Sequence, residues 1–359
     1  MENKKIRVAI THGDTNGIGY ELIFKTFADP TMMELCTPII YGSPKVAAYH
    51  RNVLNNQANF TIINKPEDAR DGRMNLLTAF DEEVKVEIGN ASIDSSRAAV
   101  TALKRAVTDF EQGGFDVLVT APADIEGFRA LGLGAKSETQ YLEQLTDNKD
   151  SAFTILVNDA LRVAILTPQI PVKEALPAVT KESIVSKTEL FHETLKRDFR
   201  VSSPRIAILA LNPDTSGGKE EGEIIIPAIN ELEAKGVQAF GPYPADSFFG
   251  DNLYESFDGI MAMYHDQGMI PFKTIDNGNG NIYTTGLPFI RTSVIHGALT
   301  ELAGKGIVDE SSFRHAIFQA IDICRNRANY DEPMRNPLKK VYHEKRDDSE
   351  KVRFAVPKQ

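Results

Sequence analysis

Apolar and polar positions alternate along this chain in two periods. Short apolar runs rich in β-branched residues recur at 6–10, 116–120, 162–166, 206–211 and 261–263, and runs of that length predict buried strands. Between them lie longer segments whose apolar residues return every three or four positions. Residues 95–112 open on Ser95-Ser96, carry Ala98, Ala99, Leu103, Val107 and Phe110 on one face, and stop at Gly113-Gly114; this predicts a helix with a start and a stop signal. Residues 181–199 set Ile184, Phe191, Leu195 and Phe199 on one side, and 309–329 repeats the pattern, so two more amphipathic helices are expected. Strand and helix in alternation predict an α/β fold.

Each predicted strand empties into polar residues with Gly or Pro nearby. The stretches are Thr11-His12-Gly13-Asp14, Ala121-Pro122-Ala123-Asp124, Thr167-Pro168-Gln169, Asn212-Pro213-Asp214 and Tyr264-His265-Asp266-Gln267-Gly268. Open α/β sheets bind ligands outside the carboxyl ends of their strands. Any one of these loops reads equally as an ordinary turn, because turns favour Asp, Asn, Gly and Pro; five together predict one cleft lined by strand ends. The last is the densest, since a buried strand has no use for His, Asp and Gln in succession. His12 is placed to face that cleft, whereas His192 and His315 fall within predicted helices as surface or packed groups. A second dense stretch is Gly286-Leu287-Pro288-Phe289-Ile290-Arg291-Thr292-Ser293. Thr292 or Ser293 is placed to cap a helix running to about Ala303 and ending at Gly304, whose free N–H groups, with Arg291, would seat an anion.

Composition narrows the classes. At 359 residues the chain exceeds the size at which one core keeps growing, so two lobes are expected. A net charge of −10 leaves no cationic excess for nucleic acid or an acidic membrane surface, while a small anionic metabolite needs only local cations. Cys36 and Cys324 are too few for a disulfide framework or a thiolate zinc site, and Cys324 continues the spacing of Phe313, Ile317 and Ile321 into a core face. No apolar run approaches the roughly 20 residues of a membrane span, and charged residues return too early after Met1 for a secretory segment. A cytoplasmic protein is expected. From Tyr330 onward charged and polar residues dominate and predict a solvated tail or a surface strap.

Several motifs together resemble the 4-hydroxythreonine-4-phosphate dehydrogenase family of pyridoxal phosphate biosynthesis. They are Gly13-Asp14 with Gly17-Ile18-Gly19, Thr120-Ala121-Pro122, Leu211-Asn212-Pro213, Pro244-Ala245-Asp246, Tyr264 to Gly268, and Gly286-Leu287-Pro288 through Arg291-Thr292-Ser293. The resemblance covers about residues 6–329. It implies the two-lobed fold of isocitrate and isopropylmalate dehydrogenases, a first lobe of 1–140 with 305–359, and a second of 141–304 carrying metal-site and dimerisation elements. It implies a cytoplasmic homodimer whose partner subunit helps complete the cleft. It also implies NAD as cofactor, although this chain has no Gly-x-Gly-x-x-Gly fingerprint.

The chemistry so implied is oxidation of a hydroxyl chelated by a divalent metal, which lowers the hydroxyl pKa, followed by decarboxylation. Asp246 and Lys273 are the implied catalytic residues, and Thr139, Lys273 and Arg291 the substrate-binding ones. The family's three histidine ligands are represented here by Gln169, Asp214 and His265. That oxygen-rich set favours Mg²⁺ or Mn²⁺ relative to a three-histidine site, which suits Zn²⁺; Co²⁺ is a further candidate. Other family positions also change: Glu138 replaces a histidine beside Thr139, Ile125 a lysine, and Ile295 an aspartate. Three functions are compatible with this pattern: the family dehydrogenase, a dehydrogenase for a related hydroxy acid or diol, and a non-catalytic binding protein on the same scaffold.

Overall fold

The computed structural model describes residues 5–80, 83–135, 137–146, 152–167, 169–214 and 218–335. Within them lie β1 (Ile6–Thr11), β2 (Cys36–Gly42), β3 (Phe60–Ile63), β4 (Met74–Thr78), β5 (Val117–Thr120), β6 (Phe153–Val157), β7 (Arg162–Ile165), β8 (Arg205–Leu209), β9 (Gln238–Tyr243), β10 (Gly259–Ala262), β11 (Asn281–Thr285) and β12 (Ile290–Val294). They form one sheet in the order β3-β4-β2-β1-β5-β12-β11-β6-β7-β10-β8-β9. The α/β class expected from the patterning is what the chain adopts, and the five patterned runs are β1, β5, β7, β8 and β10.

Strand direction reshapes the expected cleft. From β3 to β12 every neighbouring pair is parallel. The pairs β12–β11, β11–β6 and β6–β7 are antiparallel, and from β7 through β10 and β8 to β9 the strands are parallel again. Three successive reversals turn the second parallel set against the first. The carboxyl ends of β1, β5 and β12 therefore open at one edge of the sheet, and those of β7, β8 and β10 at the opposite edge. Five strand ends line two regions rather than one, because a short apolar run carries no information about its direction. One reversal is built locally: Asn158 Oδ1 accepts from the N–H groups of Ala160 at 3.0 Å and Leu161 at 2.7 Å, closing the tight β6–β7 connection.

The expected helices form with their signals in place. Ile93–Glu111 is started by a capping box between Ser92 and Ser95, and its buried Ala98, Ala99, Ala102 and Ala106 allow close approach to the sheet. Lys181–Arg197 begins at a Thr180–Ser183 capping box and buries Ile184, Phe191 and Leu195 completely; each such side chain contributes roughly 1.5–3 kcal/mol. Ser311–Arg335 extends the third helix through Tyr330, so the tail starts later than the sequence suggests, and residues 336–359 lie outside the described residues. Cys36 is buried and Cys324 half-buried against the core, both as free thiols.

The helix expected from Thr292 to Ala303 does not form. Ile290–Val294 is a central strand, followed only by a short 3₁₀ turn at Thr300–Leu302. Its β-branched residues suit the pleated position between β5 and β11. Thr292 Oγ1, instead of capping, donates to the Ala316 carbonyl at 2.7 Å.

Candidate active site

Gln169, Asp214 and His265 follow three strands that are neighbours in the sheet, β7, β8 and β10. Hydrogen bonds tie those strand ends together. Leu166 N–H donates to the Ala262 carbonyl at 2.8 Å, and Thr167 Oγ1 donates to the Met263 carbonyl at 3.1 Å. Gln267 bridges two of the loops, its Oε1 accepting from Met263 N–H at 2.8 Å and its Nε2 donating to the Ala210 carbonyl at 2.6 Å. A Cβ at Gly268 would lie 3.0 Å from Val163 and 3.1 Å from Ala262, so this glycine brings the following helix close to the sheet.

The Tyr264 to Gly268 stretch is not a loop but the start of the helix His265–Ile275. His265 Nδ1 is hydrogen-bonded to Asp266 at 2.7 Å, which orients the ring in the arrangement carboxylates give to metal-binding histidines. Asp214 and Gln169 are exposed. The loop after β8 is braced by Glu221, a buried carboxylate accepting from the N–H groups of Leu211 at 2.9 Å and Asn212 at 2.8 Å. Among the described residues no three His, Cys, Asp or Glu side chains converge into a ready-made metal site. The candidate set is one imidazole, one carboxylate and one amide oxygen, a chemistry that suits an oxygen-preferring divalent ion. Beside it runs an open groove of about 460 Å³ whose lining includes Asp246, Phe249, Tyr264, Asp266, Gln267 and Ile270.

Arg291 sits near the amino end of β12, which runs opposite to β7 and β10, so its backbone lies toward the same end of the sheet as their carboxyl ends. It lies on β12 opposite Leu118 of β5 and Thr284 of β11 and is 4% exposed. Nη1 donates to Thr284 Oγ1 at 2.9 Å and Nη2 to Thr120 Oγ1 at 2.7 Å. Nη2 is also 3.2 Å from Glu138 Oε2, while Nε is buried with no partner. The clamp expected on an anion is thus already engaged by a carboxylate of the chain. Thr139 follows Glu138 in the helix Glu138–Leu145 and is half-buried. Lys273 is exposed, eight residues beyond His265 and so about 12 Å further along the helix. Its charge acts on His296, whose pKa burial lowers most, against a hydrogen bond to Gly297 and with Lys273 adding to the lowering.

The first strand-end loop is not open. His12 is fully buried, stacked on Tyr20 with ring centroids 5.4 Å apart and edge-on to Phe80, so it does not face a cleft. Burial lowers its pKa to about 4, opposed by the Gly13 backbone and reinforced by the charge of His50. Gly13, at φ +70°, would place a Cβ 2.1 Å from the Pro122 carbonyl oxygen, and Asp14 N–H donates to that oxygen at 2.9 Å. Gly19 meets the His12 carbonyl oxygen just as closely, at 1.9 Å. These glycines serve packing and make no phosphate cradle. Glu221 is the supporting group that patterning missed; a Glu among the charged residues just before an apolar helical run reads as a solvated turn.

An open mixed α/β sheet with polar loops at its strand ends defines an α/β protein built to bind ligands outside those ends. The family model described as pyridoxal phosphate biosynthetic protein PdxA matches residues 34–320, and the chain belongs to that family. It is 49% identical over 358 residues to a 4-hydroxythreonine-4-phosphate dehydrogenase of Bacteroides thetaiotaomicron, covering 99% of this chain and 98% of that protein. A protein of the same name from Sulfurihydrogenibium sp. is 35% identical, over 90% of this chain and 99% of its own. The crystal structure of a 4-hydroxythreonine-4-phosphate dehydrogenase from Klebsiella pneumoniae superposes with a TM-score of 0.75 at 28% identity, covering 89% of this chain and 99% of that one. These relatives are oxidoreductases by name.

Proposed function

We propose that this chain is an NAD-dependent, metal-assisted dehydrogenase for a 4-hydroxythreonine-type acid, with 4-phosphohydroxy-threonine the first substrate to assay. The observation that carries this reading is the 49% identity to a dehydrogenase of that name across 99% of the chain. When bound, a divalent ion would lower the pKa of the substrate hydroxyl and NAD would accept the hydride. Gln169, Asp214 and His265 would hold the ion, with Asp266 orienting His265. Asp246, on the wall of the groove, takes the hydroxyl proton. Arg291, with Thr139 nearby, holds the polar end of the acid, and Lys273 returns a proton to the carbon left by departing carbon dioxide.

The functional unit is a homodimer. In one chain β12, which carries Arg291, is separated from β10, which leads to His265, by β11, β6 and β7, roughly 19 Å at about 4.8 Å per strand, and a second copy related by a two-fold axis would bring the His265 set of one against the Arg291 set of the other. The protein works in the cytoplasm on a small anionic metabolite, without nucleic acid or membrane. Its acidic charge supports this, and among the described residues no helix is long and apolar enough to cross a membrane.

One experiment tests both the chemistry and the dimer. Purified protein with NAD, Mg²⁺ or Mn²⁺ and 4-phosphohydroxy-threonine is expected to form NADH, and His265→Ala and Arg291→Gln to lose it. Mixed in equal amounts, the two inactive variants should regain about a quarter of the wild-type rate, since half the dimers are hybrids with one intact site. No NADH from wild type with any of the divalent ions would remove the enzymatic reading; no recovery in verified hybrids would remove the shared site.

A further inference from the structure

Arg291, near the amino end of β12, is buried, and its surroundings do not match those of a purely structural arginine. Two threonine hydroxyls and one Glu138 oxygen meet Nη1 and Nη2, whereas Nε, equally buried, meets nothing. A carboxylate that served only to neutralise Arg291 would gain most by the two-point approach to Nε and Nη2 that planar guanidinium favours. Glu138 makes a single contact at 3.2 Å, from the first turn of a separate helix, with its side chain 12% exposed toward the outside. The guanidinium is thus an anion seat that is partly filled from within the chain and retains one unused donor.

We propose that Glu138 is the specificity-determining residue of this seat: it competes with a substrate phosphate for Arg291 and shifts preference toward the unphosphorylated hydroxy acid. The inference rests on the proposed reading of Arg291 as a substrate-binding residue. A phosphate dianion approaching Arg291 meets the Glu138 carboxylate at contact range, and with the two side chains only 4% and 12% exposed water screens the repulsion of like charges poorly. A hydroxyl at the same place meets no such opposition, since it donates to Glu138 and accepts from the free Nε–H. The polar tip of the site is therefore tuned by charge, with the backbone and the threonine pair unchanged.

The test is binding of inorganic phosphate at neutral pH, followed calorimetrically and independent of turnover. Wild type is expected to show no saturable binding below the millimolar range, and Glu138→Gln, which keeps the shape and a hydrogen bond, to bind at least about tenfold more tightly, a difference of about 1.4 kcal/mol. Adding Arg291→Gln to that variant should abolish the gain, and Glu138→Asp, which keeps the charge, should remain as weak as wild type. Submillimolar phosphate binding by wild type overturns the proposal without any variant. So does a gain that survives loss of Arg291, or the absence of a gain in folded Glu138→Gln. Because no step of catalysis is read, phosphate binding tests the seat even in a protein that makes no NADH.

Discussion

Two arginines, each facing a carboxylate, Arg291 buried and Arg327 largely so, are built differently, and the difference separates architecture from chemistry. Arg327 meets Asp198 through Nε at 2.7 Å and Nη2 at 3.1 Å, and Nη2 also donates to the Tyr283 hydroxyl at 2.8 Å. Tyr283 donates in turn to Asp198, and Asn326 to the Asp198 carbonyl at 2.7 Å. This closed network pins the helix Ser311–Arg335 to the end of Lys181–Arg197 and to β11. Arg291 and Glu138 share one contact and leave a donor unused. A saturated ion pair serves the fold; an unsaturated one retains a donor for a ligand.

The sharpest way to break this comparison is to remove one partner from each pair. Asp198→Ala strands a buried guanidinium and a buried phenol, and is expected to lower stability by roughly 3–5 kcal/mol in urea unfolding. A loss below about 1 kcal/mol would show that the network is not what holds the helix.

A buried imidazole, held in the core by ring packing rather than by an ion pair, should instead reveal itself in acid. The His12 pKa is lowered to about 4 in the fold, against an ordinary value of 6.5, so the unfolded chain binds a proton first. The contribution of neutral His12 is present in full above pH 6.5 and is lost as pH falls from 6.5 through 4. It amounts to about 3 kcal/mol, at about 1.4 kcal/mol per pH unit. His50, lowered by burial as well, adds in the same direction. His12→Phe should flatten this acid limb of the stability curve, and an unchanged limb would assign it to other groups.

The smallest expected effect is at the site itself. Arg291→Lys keeps a charge for Glu138 but loses the fork to Thr120 and Thr284, and should cost about 1 kcal/mol of stability while weakening phosphate binding in the Glu138→Gln background. A stability loss as large as that of Asp198→Ala would make the two pairs equivalent and erase the distinction.

Much of this was legible in the chain, with a recognisable boundary. The periodic runs located β1, β5, β7, β8 and β10 and the three long helices, because burial of one face forces spacing on the sequence. The Tyr264 to Gly268 motif marked a strand end, and its Gln267 and Gly268 proved to be the groups that lock the neighbouring loops. Thr292 misled: a Thr-Ser pair ahead of a short run ending at Gly304 reads locally as an N-cap, but the segment lies between β5 and β11, where pairing outweighs the capping preference. Glu221 was invisible, since its value comes from two backbone N–H groups of a loop some ten residues away.

By itself the sequence determined the α/β class, the family and the residue types at each strand end, since these follow from local periodicity and from motifs read in order. Only the tertiary structure decided strand direction and order, and with them the lateral separation of β12, which carries Arg291, from β10, which leads to His265, by three intervening strands. It alone placed Glu138 on Arg291, from a distant part of the chain, because an ion pair depends on distance in space and leaves no periodic trace along the polymer.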